Sequence, residues 1–120
     1  MPKKILVIDD SKPVLLRTRH ALEQAGYVVV TLETAMGATS VIREERPDLI
    51  LLDLTMPEVD GEQLLEVVRN FGILPDTTIL LYSGEDEAIL QLVTTRANAD
   101  GYIQKTGDMD VLLTQVREYL

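Results

Sequence analysis

The hydrophobic residues of this 120-residue chain follow two alternating kinds of pattern. Five short runs rich in leucine and β-branched residues predict buried strands, at residues 5–8, 27–32, 49–52, 78–82 and 101–104. Between these runs, most apolar residues recur at the three-, four- and seven-residue spacing of amphipathic helices. The pattern therefore predicts strands and helices in strict alternation.

Five helices are predicted between and after these strands. The apolar positions of the first helix are Val14, Ala21, Leu22 and Ala25, and those of the third are Leu64, Val67, Val68 and Phe71. The fourth helix has Ile89, Leu92 and Val93, and the fifth has Met109, Leu112, Leu113, Val116 and Leu120. Pro13 and Gly26 bracket the first helix, and Asp108 is the expected N-cap of the last. The second helix, over residues 35–45, is weaker because it contains Gly37 and stops before Pro47. Together these elements predict an α/β fold, a five-stranded parallel sheet with five helices on both faces, doubly wound as in flavodoxin.

Length and charge narrow the class of protein. A chain of 120 residues suits one domain, residues 1–120, with a core of its own. There is no cysteine, and no apolar run is long enough to span a membrane, so we expect a soluble cytoplasmic protein. The formal net charge of −9 argues against direct binding to nucleic acid, which needs a basic face. It is compatible with a cation site or a basic protein partner.

Polar residues follow the predicted strands, at the sheet edge where ligands of such folds bind. Asp9 and Asp10 follow the first strand, Asp53 the third, Ser83 the fourth and Lys105 the fifth. Taken singly, each has an ordinary explanation: Asp10 or Ser83 as a helix cap, Asp53 as a solvated loop acid, and Lys105 as a surface lysine. Their joint placement favours a site.

Three clustered carboxylates repel one another strongly. Two unit charges ~4 Å apart interact by about 4 kcal/mol at an effective dielectric constant near 20. A divalent cation relieves this repulsion, and oxygen ligands without histidine or cysteine suit Mg²⁺. An aspartate nucleophile, a metal and a lysine are the parts that phosphoryl transfer needs, and Ser83 is placed to bond a phosphoryl oxygen.

These residues lie in motifs that resemble the receiver domains of two-component response regulators over essentially the whole chain. The motifs are "ILVIDDS", "DLILLDLTMPEVDG", "ILLYSG" and "ADGYIQK". The resemblance implies that Asp53 is the phosphoacceptor, supplied by a histidine kinase or a phosphotransfer protein. It implies Mg²⁺ ligands at Asp9, Asp10, Asp53 and the backbone carbonyl of Thr55, and a contact from Lys105 to the phosphoryl group. Ser83 and Tyr102 would be the switch residues.

The resemblance also implies that the protein is not an enzyme beyond its own phosphorylation and dephosphorylation. The expected output surface for a downstream protein is the fourth helix, fifth strand and fifth helix, around residues 89–91, Tyr102 and residues 111–115. The chain stops after the fifth helix, so we expect a stand-alone regulator, with a receiver excised from a longer protein as the alternative.

One departure from the family pattern follows Lys105, where relatives usually have a proline after a cis bond and this chain has Thr106 and Gly107. A cis bond before a non-proline residue costs about 2.5–4 kcal/mol. Because Gly107 adds backbone freedom, we predict a trans bond with the Lys105 ammonium within salt-bridge reach of Asp53.

Two other classes share parts of the pattern. A phosphatase of the haloacid dehalogenase type also uses an aspartate nucleophile and Mg²⁺, but its nucleophile follows the first strand as D-x-D, and the sequence after Asp53 lacks the second acid. An unphosphorylated pseudo-receiver is the other alternative, although the site residues are all present. A flavodoxin-like cofactor binder fits the fold, but two acids in the first turn would repel the FMN phosphate. His20, the only histidine, is interpreted as a surface residue.

Overall fold

The structure is a computed structural model that describes residues 2–54 and 76–120. The elements in these ranges are β1 (Lys4–Ile8), α1 (Lys12–Gln24), β2 (Val28–Leu32), α2 (Ala38–Glu45), β3 (Leu49–Leu52), β4 (Thr78–Ser83), α3 (Glu87–Ala97), β5 (Gly101–Gln104) and α4 (Met109–Tyr119). All five predicted strands are present, each within one residue of its predicted bounds. The third predicted helix and Thr55 lie outside the described residues, so the fourth and fifth predicted helices are α3 and α4.

All five strands pair in parallel in a single sheet with the order β2-β1-β3-β4-β5. The strands carry continuous apolar sequence because both faces of a parallel sheet are covered. The parallel α/β sheet is therefore confirmed, and four of the five predicted helices are found in the described part of the chain.

The core consists of two apolar layers, one on each face of the sheet. One layer combines strand residues with α2 and α3, including Ala38, Ile42, Leu90, Val93 and Ala97. The other combines strand residues with α1 and α4, including Leu15, Leu22, Leu112 and Val116. Since successive side chains of a strand point to opposite faces, each strand contributes to both layers.

Helix α1 begins after Ser11, whose hydroxyl accepts a hydrogen bond from the amide of Val14 at 3.4 Å. The alternative explanation of Asp10 as the cap of this helix does not hold, since Ser11 occupies the cap position and Asp10 is exposed. The helix ends before Gly26, whose φ of +97° is the left-handed conformation typical of a residue just past a helix. His20 is exposed on α1, as predicted.

Helix α2 begins at Ala38, three residues later than predicted. Gly37 has φ +76°, which a right-handed helix cannot contain, and the hydroxyl of Thr34 accepts a hydrogen bond from the amide of Met36 at 3.1 Å. This local turn competes with the helix over residues 34–37. Beyond the helix, Arg46 also adopts a positive φ before Pro47.

The predicted apolar face of α3 is partly wrong. Ile89 and Leu92 are exposed by 43% and 60%, whereas Leu90, Val93 and Ala97 are buried. The buried residues follow the three- and four-residue steps of one helix face, and Ile89 and Leu92 lie beside that face. In α4 the predicted cap is confirmed, since Asp108 accepts hydrogen bonds from the amides of Asp110 and Val111. Of the predicted apolar stripe, Leu112 and Val116 are buried, whereas Leu120 is exposed beyond the end of the helix. No helix in the described ranges is long and apolar enough to cross a membrane.

Candidate functional site

The site residues lie where the sheet order reverses, between β1 and β3, the usual ligand position in a doubly wound sheet. Backbone hydrogen bonds continue the strand pairing by one residue. The amide of Asp53 donates to the Ile8 carbonyl at 3.0 Å, and that of Asp9 donates to the Leu32 carbonyl at 3.0 Å. The sheet itself therefore fixes the backbone of two of the three acids.

The three predicted acids come together. Asp9, Asp10 and Asp53 each offer a carboxylate oxygen within 4.8 Å of the others. Asp9 is 1% exposed and Asp53 4% exposed, whereas Asp10 faces solvent. One oxygen of Asp9 accepts a hydrogen bond from the amide of Ser11 at 3.0 Å. Two of the acids are thus held in a dry environment, where their mutual repulsion is least screened.

Lys105 joins the acids from the other half of the sheet. Its amide donates to the Ser83 carbonyl at 2.8 Å, which extends the pairing of β4 with β5. Its ammonium forms ion pairs with Asp9 and with Asp53, the latter at 3.4 Å from Nζ to Oδ2. The predicted salt bridge to Asp53 is confirmed. The bond to Thr106 is trans, as predicted, and Gly107 has φ +85°.

The cluster can hold a cation. Three carboxylates against one ammonium leave a net charge of −2, and their oxygens are near enough to share one ion. Two of them are buried, so solvent alone does not compensate this charge. An all-oxygen ligand set with this charge suits a hard divalent cation.

Ser83, the last residue of β4, is fully buried. Its hydroxyl accepts a hydrogen bond from the amide of Glu85 at 3.2 Å. Asp86 occupies the N-cap position of α3, so Ser83 is not the cap of this helix. Because a hydroxyl both accepts and donates, Ser83 Oγ retains a hydrogen to donate while it accepts from Glu85.

Tyr102 lies in β5 and is half-buried. Its ring packs at the edge of the core layer shared by α2 and α3, and its hydroxyl accepts a hydrogen bond from the Gln91 side chain at 3.1 Å. Within residues 2–54 and 76–120, the contact that holds this hydroxyl is therefore an exposed one with α3.

The chain matches the response regulator receiver domain family over residues 5–117. It belongs to this family. It is 32% identical over 120 residues to the response regulator MprA of Mycobacterium sp. (strain KMS), and the aligned region covers 100% of this chain and 51% of that protein. It is also 32% identical over 105 residues to the alkaline phosphatase synthesis transcriptional regulatory protein PhoP of Bacillus subtilis (strain 168), covering 88% of this chain and 43% of that protein. The chain spans about half the length of these curated relatives.

Solved structures of receiver proteins have the same fold. The chemotaxis protein CheY4 of Vibrio cholerae superposes with a TM-score of 0.92 at 27% identity, over 100% of both chains. A CheY-like response regulator receiver domain protein from Methanospirillum hungatei JF-1 gives a TM-score of 0.87 at 30% identity, covering 98% of this chain and 93% of that one. The chain is therefore a receiver domain of a two-component response regulator in both sequence and fold.

One residue of the receiver site was not predicted from the sequence. Tyr82, 3% exposed, lies with its ring centroid 5.4 Å from the Lys105 ammonium. Burial raises the pKa of Tyr82, against the lowering effects of the nearby Thr18 hydroxyl and the Lys105 charge. The available signal was a tyrosine that follows the apolar residues 79–81 of β4, beside the predicted switch residue Ser83.

Proposed function

We propose that this receiver domain accepts a phosphoryl group on Asp53 from the phosphohistidine of a histidine kinase or a phosphotransfer protein. The observation that supports this most directly is the buried Asp53 carboxylate, paired with Lys105 and grouped with Asp9 and Asp10. An acid in this position combines a nucleophilic oxygen with nearby groups that can balance the charge of a phosphate.

In the proposed step, an Asp53 oxygen attacks phosphorus while the bond from phosphorus to the imidazole nitrogen breaks. The imidazole leaves with the electron pair of that bond and takes up a proton as required. The product is an acyl phosphate on Asp53. Lys105 would move part of its ion pairing from the carboxylates to a phosphoryl oxygen, and the Ser83 hydroxyl would donate a hydrogen bond to another.

The metal proposed for this site is Mg²⁺, held by Asp9, Asp10 and Asp53. The backbone carbonyl of Thr55, outside the described residues, is the further ligand expected from the family resemblance. When bound, the ion would neutralise charge on the transferring phosphoryl oxygens. The protein residues contribute the placement of the acids at the strand ends and the exclusion of water from Asp9 and Asp53.

The phosphorylated domain would signal through the surface of α3, β5 and α4. Tyr102 would turn inward as Ser83 shifts toward the phosphoryl group, which breaks its contact with Gln91. Ile89, Leu92 and Val111 supply exposed apolar area on this surface for a downstream protein. We propose that residues 1–120 act as one cytoplasmic receiver domain that does not itself bind nucleic acid, since the chain carries a net charge of −9.

Incubation with acetyl phosphate and Mg²⁺, followed by intact mass and peptide mapping, tests the proposal. We expect one phosphoryl group on Asp53, none in the presence of a chelator, and none in Asp53→Asn. Ser83→Ala and His20→Gln are matched controls that should still be modified at Asp53. Mapping of the group to Ser83 or His20 would contradict the assignment. Sustained turnover of p-nitrophenyl phosphate would instead support the phosphatase alternative.

A further inference from the structure

We propose that Tyr82 is a positioning residue for Lys105, whose ammonium it holds over its ring and beside the Asp53 carboxylate. The inference rests on the proposed function, because the benefit of a fixed lysine is the stabilisation of the phosphoryl group. It adds a residue from the apolar part of β4 to a site otherwise composed of strand-end side chains.

The register of the sheet brings the two residues together. Tyr82 pairs with Ile103 and Ser83 with Gln104, so Lys105 is the next residue beyond the paired strands. The Lys105 amide is bonded to the Ser83 carbonyl, which fixes where its side chain starts. From there the ammonium reaches a point 5.4 Å from the Tyr82 ring centroid, within the range of a cation–π contact.

The Tyr82 ring is buried in the core. It belongs to the core layer of α1 and α4, whose other members include Leu15, Leu80 and Leu112. Thr18, a fully buried residue of α1, is near enough to affect the pKa of the Tyr82 hydroxyl. Because the ring is held by packing, the position that it offers to the ammonium is preorganised.

Lys105 needs such a support because a lysine side chain is long and has many rotamers. Its side chain is 20% exposed, so solvent competes for the ammonium at the site. In the structure it is shared between Asp9 and Asp53. Any cation bound by these acids would weaken the ion pairs of Lys105, whereas the contact with the ring would remain. The ring would therefore keep the ammonium near the place where the phosphoryl group forms.

The rate of phosphoryl transfer from acetyl phosphate in saturating Mg²⁺ tests this role. Tyr82→Leu removes the ring, and we expect its rate to fall about threefold to tenfold. Tyr82→Phe keeps the ring and should retain the wild-type rate. An equal loss in both variants would show that the hydroxyl matters rather than the ring, and would overturn the inference. Urea unfolding of each variant sets conditions under which all are folded.

A double-mutant cycle separates positioning from a general structural effect. If Tyr82 acts through Lys105, Tyr82→Leu should have no further effect on the rate once Lys105→Met is present. A loss of the same size in both backgrounds would mean that the substitution perturbs the site by another route, and the inference would be wrong.

A spectroscopic measurement makes the inference independent of phosphorylation. The ε-methylene protons of Lys105 should be shifted upfield by the ring current in wild type and Tyr82→Phe, and this shift should disappear in Tyr82→Leu. Absence of the shift in wild type would contradict the contact itself. If the shift is present but Asp53 is never phosphorylated, the proposed function fails while the placement of Lys105 by Tyr82 holds.

Discussion

The carboxyl edge of the sheet and the outer surface of β5 hold their polar side chains in opposite ways. At the edge, Asp53 and Lys105 are attached through backbone hydrogen bonds that extend the strands, and their charged groups meet in a largely buried cluster. On the surface of β5, the ring of Tyr102 is half-buried, and within the described residues its hydroxyl accepts an exposed hydrogen bond from Gln91. The receiver domain thus combines a buried cluster whose backbone is held by the sheet with a tyrosine hydroxyl that is held by an exposed contact.

This difference has an energetic meaning. Displacing a residue of the edge disturbs sheet hydrogen bonds and buried ion pairs, whereas turning Tyr102 disturbs a contact that water can replace. The predictions below test this contrast.

Asp10 is the exposed member of the acidic cluster, and its replacement should have the largest effect. Asp10→Asn removes a charged ligand, so we expect Mg²⁺ affinity to fall about tenfold or more, measured by titration calorimetry. Without metal, the same change relieves repulsion and should raise the melting temperature. The free energy of unfolding should increase by less than about 1 kcal/mol.

The matched control is Glu44→Gln, which removes one negative charge from an exposed position of α2. It should leave Mg²⁺ affinity unchanged. If Asp10→Asn melts below wild type in the absence of metal, the repulsion attributed to the cluster is wrong.

Because Tyr82 is buried at the edge of the sheet, the free energy of unfolding should depend on pH in the alkaline range. Burial raises the pKa of Tyr82 above its ordinary value of about 10, so the folded protein holds the phenol proton more tightly than the unfolded chain. The resulting contribution to the free energy of unfolding is fully present below about pH 10 and is lost as the pH rises through the pKa of the folded state. It amounts to about 1.4 kcal/mol for each pH unit by which the folded pKa exceeds the unfolded pKa.

Urea unfolding across this pH range should show a steeper loss of stability for wild type than for Tyr82→Phe. Tyr27→Phe, at the opposite end of the sheet before β2, controls for the removal of a phenol. Parallel curves for wild type and Tyr82→Phe would contradict the role assigned to burial.

Tyr102 at the surface should respond to small perturbations. Its ring should populate at least two rotamers, outward without phosphoryl donor and inward with it, observable by NMR of the ring protons. Gln91→Ala removes one exposed hydrogen bond and should shift this population only a few-fold toward the inward form, as expected for about 0.5–1 kcal/mol. Tyr102 resonances that ignore a saturating donor would remove this residue from the mechanism.

The sheet and the grouping of the acids at the site could be predicted from the sequence. Continuous apolar runs define the strands, and the sheet edge then brings Asp9, Asp53 and Lys105 together, since parallel strands end at the same edge. The residues at which helices begin were harder to predict, because local turns and alternative caps compete there. The turn at Thr34 and Gly37 displaced the start of α2, and Ser11 took the cap position for which Asp10 was also a candidate.

The contacts that depend on tertiary packing could not be predicted. In α3, the short stripe of Ile89, Leu92 and Val93 did not reveal which neighbouring face would be covered, because helix orientation is decided by what packs against it. The contact of Tyr82 with Lys105 depends on the register of β4 against β5 and on the side of the sheet that Tyr82 faces. Neither is set by residues adjacent in sequence.

The hydrogen bonds that continue the strands into the site also determine how the site unfolds locally. The amides of Asp9, Asp53 and Lys105 are bonded to neighbouring strands, so solvent deuterium reaches them only when those pairings open. Local fraying of the helices would leave these amides protected. The geometry of the acidic cluster should therefore persist for as long as these strand-end pairings stay closed.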